Sequence, residues 1–113
     1  MKKTITVGGK EVPFKATAST PLQYREFTGR DLFKDLLSIS TASQSGAVDF
    51  DKFDAEIVQK LAYVMAKQAD PNIAEYVDWL DEFEPYDIFP GATGAILALW
   101  GASQEPLSKS KKK

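Results

Sequence analysis

Near its amino terminus the chain alternates in the two-residue rhythm of a strand, and beyond Thr20 its apolar positions recur every three or four residues, the rhythm of a helix. Thr4 to Val7 and Glu11 to Ala16 are β-branched or alternating segments joined by Gly8-Gly9-Lys10. Two adjacent glycines supply the positive φ angles of a tight turn, so residues 1–17 are expected to form a β-hairpin. Pro13 has no N–H for a ladder, which makes the second strand an edge or its pairing incomplete. Two strands alone are marginal, so the hairpin must lie on the helices that follow.

Ser19-Thr20-Pro21 reads as a helix start, with Thr20 as the cap and Pro21 at the first helical position. That helix runs through Leu22 to Phe27 and meets Gly29, which can end it in the left-handed conformation. Asp31 can cap a second segment bearing Leu32, Phe33, Leu36, Leu37 and Ile39. Residues 38–48 have almost no apolar anchors and read as a mobile surface loop.

Asp49 or Asp51 then opens the longest helix, where Phe53, Ile57, Leu61 and Val64 or Met65 share one face up to Gln68. Asp70-Pro71 stops it. Asn72 begins another helix with the stripe Ile73, Tyr76, Val77, Leu80 and Phe83, ending before Glu84-Pro85. Trp79 sits beside that stripe. The last helix, about Ala92 to Ser103, is apolar nearly all the way round and is expected to be the central core helix. Pro106 marks the exit from the fold.

The expected fold is therefore α+β and mainly α, an N-terminal β-hairpin packed on a bundle of four to five helices. One globular domain is expected over 1–105, with helices over 20–105 and a disordered basic tail over 106–113. A length of 113 residues suits one core and not two. With 43% hydrophobic and 27% charged residues, the chain has the composition of an ordinary soluble domain.

Composition removes more chemistry than it offers. There is no cysteine and no histidine, so disulfides, thiolate sites and Ser-His-Asp catalysis are all excluded. Thr4 to Gly8 is no apolar export segment, and Ala95 to Trp100 falls far short of the roughly 20 residues that span a bilayer. The expected location is the cytoplasm.

Charge is uneven. The net charge is −2, but Lys109, Lys111, Lys112 and Lys113 stand at the extreme end, and without them ten basic face sixteen acidic residues. No basic residue lies between Lys67 and Lys109, where Asp70, Glu75, Asp78, Asp81, Glu82, Glu84, Asp87 and Glu105 all fall. Such a surface repels phosphate, so nucleic acid is not an expected partner.

Asp78, Asp81 and Glu82 are the nearest approach to a metal constellation, but no Gly-interrupted ligand loop accompanies them, and a solvated acidic face is the expected reading. Gly8-Gly9-Lys10 lacks the spacing of a phosphate loop and is a turn. No catalytic, metal or cofactor residue is assigned. Tryptophan fills cores and also anchors interfaces, so Trp100 in the apolar helix reads first as core, and Trp79 among carboxylates as core or partner-facing. Tyr76, Trp79, Phe83, Phe89 and Trp100 form the candidate partner-binding set. Homo-oligomerisation follows if Trp79 and Phe89 are exposed together.

A hairpin of the form Ile5-Thr6-Val7-Gly8-Gly9-Lys10-Glu11-Val12-Pro13-Phe14, followed by Tyr24-Arg25-Glu26-Phe27-Thr28-Gly29-Arg30-Asp31-Leu32, resembles the tail assembly chaperones of long-tailed phages and prophages of Gram-positive bacteria. Leu61 to Ala69, Tyr76 to Phe83, and a final helix ending in Leu99-Trp100 before a lysine-rich tail are similar to that family. The resemblance implies a non-enzymatic protein, absent from the finished virion, that binds the tape measure protein and helps recruit tail tube subunits. Members of that family are often extended by a ribosomal frameshift near their end, and Lys111-Lys112-Lys113 would fit a slippery run of adenines in the gene. A small acidic phage or prophage regulatory or anti-host protein, binding a host protein, is the alternative.

Overall fold

The computed structural model describes residues 1–36 and 55–103. The loop expected over 38–48, Leu37, Ile39, the helix start with Phe53, and the basic tail lie outside them. Strands β1 (Lys2–Val7) and β2 (Lys10–Lys15) form the expected antiparallel hairpin. Gly8 and Gly9 both have positive φ, +58° and +83°, as a two-residue turn matched to strand twist requires.

Ile5 pairs with Val12 and Lys3 with Phe14, which brings Ile5, Val7, Val12 and Phe14 to one face. That face packs on the helices, while Thr4, Thr6, Glu11 and Lys15 are exposed on the other. Met1 and Ala16 exchange two backbone hydrogen bonds, 2.7 and 2.8 Å. Alternation from there puts Pro13, opposite Thr4, at a position that is not hydrogen-bonded, so its missing N–H costs the ladder nothing.

Helix α1 (Thr20–Thr28) begins one residue earlier than the sequence suggests, with Ser19 and not Thr20 at the cap. Thr20 is fully buried, and its hydroxyl is committed elsewhere: it donates to Gln68 Oε1 and accepts the N–H of Thr17. Gly29 ends the helix with φ +74° and donates to the Arg25 carbonyl, as expected. Asp31 accepts the Lys34 N–H and caps a second helical segment over 32–36.

The centre of the fold is α2 (Ala55–Ala69), which packs on β2, on α1 and on the elements that follow it. Its buried side chains run from Ile57 and Val58 through Leu61 to Ala66. This corrects the expectation that the final helix is central. Helix α4 (Thr93–Ser103) buries Ile96, Leu99 and Trp100, but Ala95 and Ala98 are exposed. Alanines count as apolar in a pattern yet hide little surface, so α4 covers one side of the core.

Helix α3 is also shorter than expected, only Tyr76–Leu80. Asp70 ends α2 and its carboxylate accepts the Asn72 N–H, which holds a turn where the helix was expected to begin. Three-residue turns then close the far end, Glu82 N–H to Trp79 and Phe83 N–H to Leu80. A π-type turn, Asp87–Ala92 with a cis Phe89-Pro90 bond, leads into α4. Among the described residues no helix is long and apolar enough to cross a membrane.

Candidate protein-binding surface

Aromatic rings run in a connected chain across one side of the molecule, from α1 over α2 to α3. Phe27, Tyr63 and Tyr76 form a triangle with centroids 5.2 to 5.4 Å apart. Tyr63 meets Trp79 at 5.5 Å, and Trp79 meets Phe83 edge-on at 5.1 Å. These are the separations at which ring quadrupoles attract. The Tyr63 hydroxyl donates to the Ala74 carbonyl at 2.9 Å and ties the chain entering α3 to α2.

Three candidate residues, Tyr76, Trp79 and Phe83, are thus brought together, while Phe89 and Trp100 stand apart from the ring chain. Phe89 is half-buried against the core, and Trp100, 9% exposed, has Phe33 at 6.0 Å. Of the two readings left open for Trp79, core or partner-facing, its 3% exposure places the side chain in the core. The structure corrects Val77: assigned to the inward stripe, it is 65% exposed. The true inner face of this segment is Tyr76, Trp79, Leu80 and Phe83, the three- and four-residue spacing centred on the tryptophan. With Trp79 buried, the condition set for homo-oligomerisation through Trp79 and Phe89 is not met.

The large apolar side chains that do face solvent include Leu22, Phe27 and Phe33, on α1 and the segment after it. Sequence reasoning assigned them no role. Helical spacing offers a signal for Leu22 alone, which lies on the side of α1 opposite the buried Thr20 and Tyr24, whereas Phe27 shares their stripe at three-residue spacing and its exposure comes from its place at the end of the helix. Two open clefts flank the helix. One, about 210 Å³, lies among Pro21, Leu22, Arg25, Asp31, Leu32 and Phe33. The other, about 290 Å³, has Phe27, Tyr63 and Val64 as its apolar lining and Glu26, Glu75 and Lys67 among its polar groups.

The segment carrying Phe33 is fastened to α1 by a buried carboxylate. Asp35, 4% exposed, accepts the Tyr24 hydroxyl at 2.7 Å and a two-pronged Arg30 guanidinium at 2.7 and 2.9 Å. The Arg30 hydrogen bonds hold its pKa below the usual carboxylate range, helped by Tyr24 and opposed by burial. In the ring chain, burial and secondarily the Glu56 charge push the Tyr76 phenol up to about 12.

Asp78, Asp81 and Glu82 are exposed, and among the described residues no three carboxylates converge in a group that could hold a metal ion. The arrangement offers apolar side chains, aromatic faces and surface carboxylates, the materials of recognition. Comparison with known protein families, curated proteins and solved structures finds no match for this chain.

Proposed function

We propose that this chain is a non-catalytic binding protein, and more narrowly a tail assembly chaperone of a long-tailed phage that binds the tape measure protein and aids tail tube assembly. It acts in the host cytoplasm and stays out of the finished virion. The observation that supports this reading is the exposure of Leu22, Phe27 and Phe33 beside two clefts on either side of one short helix. Grouped apolar exposure on a folded domain marks interaction surface. A tape measure protein, a long helical chain with uncovered apolar stripes before assembly, has the complementary need.

Co-expression tests the proposal. The tape measure protein encoded beside this chain should become soluble and co-purify with it. Equal solubility of the tape measure protein expressed alone would remove the chaperone role.

A second reading, a small acidic protein that occupies a host protein, draws on the exposure of Asp70, Glu75, Asp78, Asp81, Glu82 and Glu84. It is weaker on geometry. A five-residue helix and several turns break those residues into short groups, and Lys10 already neutralises Glu82 at 3.2 Å. Binding to a host nuclease or polymerase would favour it.

A further inference from the structure

The sequence Glu-Phe occurs twice, at Glu26-Phe27 and at Glu82-Phe83, and the fold completes only one of the two pairs. At the second, Lys10 reaches over from the hairpin: its Nζ lies 3.2 Å from the Glu82 carboxylate and 5.5 Å from the centroid of the Phe83 ring. A carboxylate and an aromatic face together attract one ammonium group, by charge and by the ring quadrupole.

The same two groups stand at the larger cleft without such a completion. Glu26 and Phe27 are both exposed there, Phe27 by 40%, and Glu75 adds a second carboxylate from the residue before α3. Among the described residues neither Glu26 nor Glu75 makes an ion pair. Among the described residues the cation lining the cleft is Lys67, which lies over the Tyr63 ring at 5.8 Å. Two carboxylates against one ammonium leave the cleft net negative around an apolar floor of Phe27, Tyr63 and Val64. Its volume of about 290 Å³ and open side suit a side chain or two of a polypeptide better than an enclosed small molecule.

We infer that the cleft between α1 and α2 takes a partner polypeptide segment presenting one large apolar side chain flanked by lysine or arginine. The apolar side chain covers Phe27 and Val64. The flanking cation supplies to Glu26, Glu75 and the Phe27 ring what Lys10 supplies to Glu82 and Phe83. The inference rests on the chain being a binding protein, and not on which client it binds.

The test pans the full chain against a displayed random peptide library, with the exposed double reversal Glu26→Lys/Glu75→Lys as the control surface. Enriched peptides should share an aromatic or long aliphatic residue with lysine or arginine within one helical turn of it. A synthetic peptide of that consensus should bind the wild-type chain at least about tenfold more tightly than either the double reversal or Phe27→Ser, and should weaken with added salt. Circular dichroism on both variants checks that they fold, and the double reversal alone decides if Phe27→Ser does not. No enrichment, a consensus without cations, or binding indifferent to the double reversal would overturn the inference. So would dimerisation through Phe27, seen by light scattering and abolished in Phe27→Ser, which would seat a second copy in the cleft. If the wild-type chain co-purifies with a tape measure protein but enriches no such peptide, the cleft inference falls and the chaperone reading stands.

Discussion

Gly8, at the tip of the hairpin, lies directly against the carboxylate of Asp87, so closely that any Cβ at position 8 would overlap it. Asp87 in turn accepts the Glu84 N–H at 2.8 Å, so one side chain holds the turn before it and borders the hairpin. Gly9 has the same left-handed backbone with nothing within 4 Å of a Cβ. Alanine at either glycine should cost about 1–2 kcal/mol for the left-handed backbone alone. Gly8→Ala should add about 0.5–1.5 kcal/mol, because the Asp87 carboxylate must swing aside and give up the Glu84 N–H. Urea unfolding of Gly8→Ala, Gly9→Ala and Gly8→Ala/Asp87→Ala measures this; equal losses at the two glycines would refute the overlap.

Asp35 should set the acid limit of the link between α1 and the segment over 32–36. Its folded pKa lies below the unfolded value, so its stabilisation is complete above the ordinary carboxylate range and is lost as pH falls through the lowered pKa. Asp35→Asn should lose about 2 kcal/mol near neutral pH, with a smaller loss for Tyr24→Phe. The gap between wild type and Asp35→Asn should close as the solution is acidified. A gap that is constant with pH would mean that the charge of Asp35 is irrelevant.

Trp79 and Val77 should separate the real inner face of α3 from the one its sequence suggests. Trp79→Ala removes a buried ring in contact with both Tyr63 and Phe83 and should cost about 3–5 kcal/mol. Val77→Ala, at a residue 65% exposed, should change stability by less than about 0.5 kcal/mol. Thermal unfolding of the two variants decides, and a Val77 loss comparable to that of Trp79 would contradict the placement.

What the sequence could reveal follows from how local each determinant is. The hairpin turn is written in Gly8-Gly9, the end of α1 in Gly29 and the next cap in Asp31, each acting within a few residues. Helix α2 is legible because fifteen residues give its period room to repeat. Helix α3 has five, fewer than two turns, so several stripes fit it equally well and only packing against Tyr63 selects the one through Trp79. Thr20 is misread for a related reason: its partner Gln68 is 48 residues away. Of the surface, Tyr76 and Phe83 were visible as aromatics at helical spacing. Phe27 was not, because it shares the stripe of the buried Thr20 and Tyr24 and its exposure comes from its place at the end of α1.

Tyr76 provides a test of the ring chain under alkaline conditions. Its folded pKa of about 12 stands above the ordinary 10.0, so the folded state favours the neutral phenol. The stabilisation is complete below pH 10, where both states hold the proton. It is lost as pH rises from 10 to 12, because the unfolded chain ionises first. Tyr76 is only partly buried, so solvent screening should keep the loss below about 2 kcal/mol. Tyr76→Phe keeps the ring in the triangle with Phe27 and Tyr63 and removes the titration. Urea unfolding of the two proteins at stepped pH should therefore show wild type falling more steeply than Tyr76→Phe across that window alone. Parallel profiles through pH 12 would mean that the Tyr76 hydroxyl stays in water, and that the ring chain leaves this part of α3 open.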